Sequence, residues 1–455
     1  MSSDVMHVPF CNLRDCPVPS EPREVMETFG TNTRYQWVEY VPTRYTGRRK
    51  VPLVVKLHGG GGSGPKTYRT TTWAALAERE GFICIFPTAT QSRSWIAEDA
   101  ADKRDIDYIV RITKHVMAKY NIDASRVYLT GMSLGDMMSY AVAGEAGDIF
   151  AALASFGGPT PPALAAKRPR KHALPVIQIR GEADVLGPGV DYRSFDETFR
   201  VKEPYMKYNR DAWIERNGCS RVPVLTMLGD HSISLYKGAL GDLVFIETKG
   251  MGHLEAAWAP EFIWREFFDC FARVDGKIVR RRPSEVLSRP SQMMAVAAGA
   301  SAVYKNGEVT WMCRDDRSAK AVIGRQEEGD ASFMGRYYKE CVWWQDVVMA
   351  PVQLLTTLFG AEVRVEGEKA FVTLPGDVKK EYVFTAGSMY VEMNGSMRSL
   401  PCGAWAQDGR FYLPVQQVAE MFGYQAQTLE QVVFISPRPF KIGRFTACMM
   451  RDLLQ

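Results

Sequence analysis

Three side chains of this sequence have the types and the order that acyl transfer to water requires: Ser133, then Asp184, then His253. A serine hydroxyl is a weak nucleophile at neutral pH. An imidazole must take its proton and later return it to the leaving group, and a carboxylate must hold that imidazole in one tautomer. Ser133 lies in Gly131-Met132-Ser133-Leu134-Gly135. Glycines two residues to either side allow a turn too tight for Cβ atoms at those positions, so the hydroxyl is presented at the apex. The bland alternative is a glycine-rich turn with a capping serine. Asp184 has its own alternative as a turn former, and Asp191 and Asp230 are the other carboxylates that could serve. Asp230 precedes an alternating segment, 232–236, a placement that suits a β-turn.

Such residues work only if strands and helices bring them together. In RVYLTGMSLGDMMSYAVAG, residues 126–144, a β-branched run ends at Gly131 and helical spacing begins past Gly135, which predicts strand, tight turn, helix. The helix aims its unbonded N–H groups at the serine. PVIQIRGEAD (175–184) and LVFIETKGMGH (243–253) read as buried strands, with Asp184 and His253 just past their ends. VPLVVKLHGGGGSG (51–64) is another strand, running into His58 and four glycines. N–H donors of that loop, with the N–H of Leu134, can meet the anion that forms on an ester carbonyl oxygen. A phosphate-binding loop is the competing reading, and the stretch lacks the G-K-[ST] ending.

His58 is read as the hydrogen-bonding group that holds the loop. With Trp95 it is placed beside the substrate, Trp95 either walling the acyl pocket or packing in the core. Helices are predicted over Trp73–Glu80, Lys103–Tyr120 and Pro260–Arg273, and strands over Tyr35–Val41, Phe82–Pro87 and Ala151–Phe156. Strands alternating with helices predict a parallel sheet covered on both faces.

The 455 residues leave room for two to three domains. A net charge of +4 is too small for the field of a nucleic-acid or anionic-membrane binder. No apolar run approaches the ~18 residues of a membrane helix. The start has no basic-then-apolar signal pattern, so the chain as given reads as cytoplasmic. Nine cysteines are scattered. Cys11 and Cys16 could pair or bind metal; free thiols are the preferred reading, because no histidine or cysteine cluster joins them.

LVVKLHGGGGSG, LAEREGFICIFPTA, YNIDASRVYLTGMSLG, DIFAALASFGG, WIERNGC and GMGH, spread over residues 50–270, together resemble the esterases grouped as polyhydroxybutyrate depolymerases, with feruloyl and acetylxylan esterases among them. The resemblance implies an α/β-hydrolase domain over residues 35–274, after an irregular segment 1–34. It implies a serine carboxylesterase acting through an acyl-enzyme, with Ser133 as nucleophile, Asp184 and His253 as its relay, and an oxyanion hole from Gly59, Gly60 and Leu134. No cofactor is expected. Loops around 88–102, 159–174 and 185–203 shape the pocket. Asp136 departs from the small residue usual in that family; in the first turn of a helix it reads as a solvent-facing cap. The family is usually exported, which this chain's start does not match. A serine peptidase on the same fold and a non-catalytic surface-binding protein are the alternative functions.

Residues 275–295 carry Lys277, Arg280, Arg281, Arg282 and Arg289 and read as a basic, solvated linker. Beyond it lies a repeat: AGASAVYKNG (298–307) recurs as AGSMYVEMNG (386–395), and APVQLLTTLFG (350–360) as LPVQQVAEMFG (413–423). Each copy predicts a strand, an Asn-Gly turn, a helix opened by Pro351 or Pro414 and closed by Gly360 or Gly423, then a hairpin. Residues 296–455 thus form an α+β module of two repeats. It resembles the copper-amine-oxidase N-terminal or stalk domain, which implies an accessory spacer or a contact with a cell surface or polysaccharide. His253 is the last histidine, so no copper site is expected in the module.

Overall fold

The computed structural model describes residues 21–28, 34–90, 94–168, 171–186, 195–325, 346–376, 380–400 and 402–455. Cys11, Cys16 and Asp191 lie outside them. Two compact units emerge, residues up to 289 without 224–227, and residues 224–227 with 290–455.

In the first unit lie strands β1 (Arg23–Thr28), β2 (Arg34–Tyr40), β3 (Val51–Leu57), β4 (Ile83–Pro87), β5 (Ile122–Met132), β6 (Ala152–Phe156), β7 (Val176–Gly181), β9 (His231–Tyr236) and β10 (Leu243–Thr248), while β8 (Val224–Leu228), between β7 and β9 in the chain, belongs to the second unit in all but its last residue. The sheet runs β1-β2-β4-β3-β5-β6-β7-β10-β9. Its centre, from β4 through β10, is parallel, and the strands flanking it are antiparallel. This is the α/β-hydrolase fold. The parallel strands β4, β6, β7 and β10 are buried along their whole length, on both faces, so they are dominated by apolar residues, and the few polar ones, such as Gln178, Arg180 and Glu247, are buried too. Helices α1 (Gly64–Thr70), α2 (Trp73–Glu80), α3 (Arg104–Lys119), α4 (Leu134–Ala146), α5 (Pro162–Ala165), α6 (Phe195–Asn217) and α7 (Ala259–Glu266) accompany it. Leu53, Val55 and Leu129 of the strands pack with Ile109, Ile112, Met137 and Met138 of the helices in one apolar cluster.

Four sequence expectations change. The N-terminal segment is not wholly irregular: Arg23–Thr28 pairs antiparallel with β2, and Val25 alone is buried among the strand's residues whose side chains are described, so no apolar run announced it. The loop expected around 185–203 gives way at Phe195 to the 23-residue helix α6, despite Pro204 inside it. The helix expected over 260–273 stops at Glu266; after a short turn, Phe271–Val274 pairs with Lys277–Arg280 as a hairpin. The basic stretch is therefore docked rather than a free tether. Asp269 gathers Arg126, Arg281 and Arg282 at 2.7, 2.6 and 3.0 Å, and the Tyr128 hydroxyl donates to the Phe271 carbonyl at 2.8 Å.

In the second unit the two Asn-Gly turns form, with Asn306, Gly307, Asn394 and Gly395 all at positive φ as a tight hairpin turn requires. Gly360 caps helix Leu354–Phe359 in the left-handed conformation. Pro351 and Pro414 both end strands, Asp346–Pro351 pairing with Arg410–Pro414; Pro414 also caps the start of helix Val415–Met421, whereas Pro351 stands before the start of Leu354–Phe359, whose cap is Gln353. The repeats interlock. Met294–Ala297 pairs with Val432–Ser436, and Lys369–Leu374 of the first copy shares a five-stranded sheet with Tyr390–Met393 of the second. Each copy thus completes the other's core, and neither buries its apolar face alone. A closing helix, Arg444–Leu454, follows.

Candidate active site

Strand β5 delivers Ser133 and helix α4 begins at Leu134. Ser133 has φ 57° and ψ −121°, a strained backbone for a residue with a side chain. Steric facts explain the flanking glycines. A Cβ on Gly131 would lie 2.1 Å from the Gly135 carbonyl oxygen, and one on Gly135 would lie 2.3 Å from that of His58. Ser133 N–H donates to Phe156 O at 2.8 Å, tying the turn to the end of β6.

Beyond β6 come Gly157 and Gly158, and the pair touches both halves of the candidate site. A Cβ on Gly158 would meet Ser133 O at 2.2 Å, and one on Gly157 would meet His253 Cε1 and Nδ1 at 3.2 Å. His253, after β10, forms a 2.9 Å hydrogen bond from Nδ1 to Asp184 Oδ2, after β7. Asp184 is therefore the carboxylate at the imidazole. No hydrogen bond joins Ser133 to His253 among the described residues. Burial pushes the Asp184 carboxyl up, but the His253 hydrogen bond and the Lys202 cation outweigh it and hold it below the usual carboxylate value.

The glycine loop sits on the elbow: a Cβ on Gly59 would lie 3.4 Å from Ser133 Cβ, and one on Gly60 would lie 3.1 Å from Leu134 Cδ1. His58 is 1% exposed and its ring is fully engaged. Nε2 accepts from Ala89 N–H at 3.0 Å, so Nδ1 carries the proton and donates to Gly59 O at 2.6 Å. The trans peptide then turns the Gly60 N–H the opposite way, away from His58. Trp95, 3% exposed, donates from Nε1 to His58 O at 2.7 Å and lies against the imidazole at 4.7 Å. Both residues are thus interior supports of the loop. Placing them against the substrate is corrected by their burial. Burial also pushes the His58 imidazole below its ordinary value, keeping it neutral.

Asp136 corrects a second expectation. It is 0% exposed, not a solvent-facing cap. Its Oδ2 accepts from Gly158 N–H at 2.9 Å and faces Arg180 of β7 at 3.3 Å, while Oδ1 has no hydrogen-bond partner among the described residues. Arg180 also reaches Ser155 Oγ at 2.7 Å. The carboxylate is therefore buried between Gly158 and Arg180. Burial pushes its carboxyl up to about 6 against the pull of Arg180. The folded chain then holds that proton more tightly than the unfolded one, whose value is about 3.9. Stability from this group falls as pH rises from about 4 to about 6. The melting-temperature advantage of wild type over Asp136→Asn is expected to shrink across that window; an advantage that grows with pH would contradict the assignment.

Two buried lysines escaped sequence reasoning. Lys202 of α6 places Nζ 3.0 Å from Asp184 Oδ1. Lys56 of β3 pairs with Glu255, two residues past His253, and Trp73 Nε1 donates to the same carboxylate at 2.8 Å. A lysine inside an otherwise apolar strand, as in VVKLH, was the one signal available for Lys56. Lys202 had none.

Residues 36–162 match the family described as esterase PHB depolymerase, and residues 337–435 match the copper amine oxidase N-terminal domain. Feruloyl esterase B of Neurospora crassa is 36% identical over 137 residues, 29% of this chain and 46% of that protein. Acetylxylan esterase A of Aspergillus awamori is 31% identical over 137 residues, 29% of this chain and 44% of that protein. The chain thus spans less than half the length of these relatives. Among solved structures, an acetyl xylan esterase from Aspergillus awamori is similar at 20% identity and a TM-score of 0.43, over 54% of this chain and 98% of that one. No helix among the described residues is long and apolar enough to cross a membrane.

Proposed function

We propose that the first unit is a serine carboxylic-ester hydrolase. Ser133 Oγ attacks the ester carbonyl as His253 takes its proton. Because Nδ1 is engaged by Asp184, Nε2 is the nitrogen that does so. The carbonyl oxygen, now an anion, is met by N–H groups of Leu134 and of Gly59 or Gly60. The intermediate collapses, the alcohol leaves with the proton from His253, and Ser133 holds the acyl group. Water, deprotonated by the same imidazole, attacks the acyl-enzyme and releases the acid and Ser133.

The observation that carries this reading is the pairing of His253 with Asp184 against Gly157, beside the Gly158 that packs on Ser133. The burial of Asp136 removes the one residue that set the sequence apart from an active site. Feruloyl and acetyl-sugar esters are the substrate classes that the named relatives suggest. For the second unit we assign an accessory role, spacing or binding.

The test is hydrolysis of p-nitrophenyl esters from acetate to octanoate and of methyl ferulate, with a fluorophosphonate to trap the nucleophile. Turnover, and one phosphonyl group on Ser133, are the expected results. A chain inert to every ester and unlabelled by the trap would end the proposal.

A further inference from the structure

We propose that Lys202 is a positioning residue of this site: it holds the Asp184 carboxylate in place and, as a fixed cation, limits how strongly that carboxylate favours the protonated form of His253. This rests on the esterase reading above.

The geometry is specific. Lys202 Nζ reaches Asp184 Oδ1 at 3.0 Å and the Asp184 backbone carbonyl at 2.9 Å, so one ammonium grips both ends of the residue. Leu186 N–H donates to the same Oδ1 at 2.9 Å, which leaves Oδ2 for His253. Both charged side chains are 4% exposed. An ammonium withdrawn that far from water is stable only with its partner ionised, so the pair stays closed.

The other charged groups nearby are engaged elsewhere. Arg180 of β7 faces Asp136, and Glu182 in the turn after β7 pairs with Lys249 at 2.7 Å. The electrostatic consequence has a definite sign. A carboxylate alone stabilises imidazolium; the same carboxylate already paired with an ammonium does so less.

The experiment is the pH profile of kcat/KM for wild type, Lys202→Met and Lys202→Gln, with Lys249→Met as a control. The control removes a cation from a neighbouring turn but not from Asp184. In Lys202→Met the acidic limb is expected to move to higher pH by about half to one unit, and kcat to fall about 10- to 100-fold through loss of alignment. Lys202→Gln keeps a donor for the Asp184 carbonyl, so it should retain the fold and more of kcat while showing the same limb shift. Lys249→Met should leave the limb in place. The titration midpoint of the His253 ring protons, followed by NMR, reports the same shift without any substrate. A chain that hydrolyses no ester but still shows that NMR difference would refute the esterase reading and keep the Lys202 assignment. Folded Lys202 variants whose limb and NMR midpoint coincide with wild type would overturn it.

Discussion

Ser133→Ala is expected to lower kcat/KM for p-nitrophenyl esters by about 10⁴- to 10⁶-fold, the range seen when a triad nucleophile is removed. The loss should be purely chemical. Ser133 occupies φ 57°, and alanine meets the same backbone penalty there as serine, so the elbow gains no new strain. Ser133 Oγ has no hydrogen bond to lose among the described residues. Thermal unfolding should therefore match wild type within a degree or two while turnover and phosphonate labelling disappear. Residual hydrolysis within tenfold of wild type would mean that another group is the nucleophile.

Asp184→Asn should cost about 10³- to 10⁴-fold in kcat, because an amide at this position can present N–H to His253 Nδ1 and favour the wrong tautomer. Unlike the serine change, it should also destabilise the fold. Lys202, 4% exposed, would keep its charge beside a neutral amide. Breaking one side of a buried ion pair typically costs about 3–5 kcal/mol. Asp184→Asn with Lys202→Met is then expected to regain much of that stability in urea titrations and none of the activity.

The pH dependence has the matching sign. Asp184 is held below the usual carboxylate value, so its contribution is present above the unfolded value and is lost as pH falls through the folded one. The asparagine variant should lack that acid-labile component. A variant as stable as wild type would remove Lys202 as an obligatory partner of the acid.

The elements around Ser133 were legible because both of their signals are local. β5 and α4 differ in apolar period, and the glycines at 131 and 135 stand where Cβ atoms would strike the Gly135 and His58 carbonyls. β4, β6, β7 and β10 were legible as predominantly apolar stretches without polar alternation, since a strand buried on both faces has no solvent side. The repeat in the second unit was legible for the same reason: Asn-Gly turns and glycine caps are demanded by backbone conformation, and backbone conformation is a local property.

Strand β1 and helix α6 were not legible. One rests on pairing with β2 and a single buried valine, the other runs through Pro204 on the strength of its packing.

The sequence by itself determined the order serine, aspartate, histidine, the strand ends that carry them, and the turn that strains Ser133. It could not determine which way a charged side chain faces. Asp136 lies in the first turn of a helix, where a carboxylate is favoured in water; only the arrival of Gly158 and Arg180 from β6 and β7 makes the interior its place. Lys202 reads as one more loop lysine until the fold sets it against Asp184, 18 residues earlier in the chain. Charges interact through space, and the distance that decides their energy belongs to the tertiary structure.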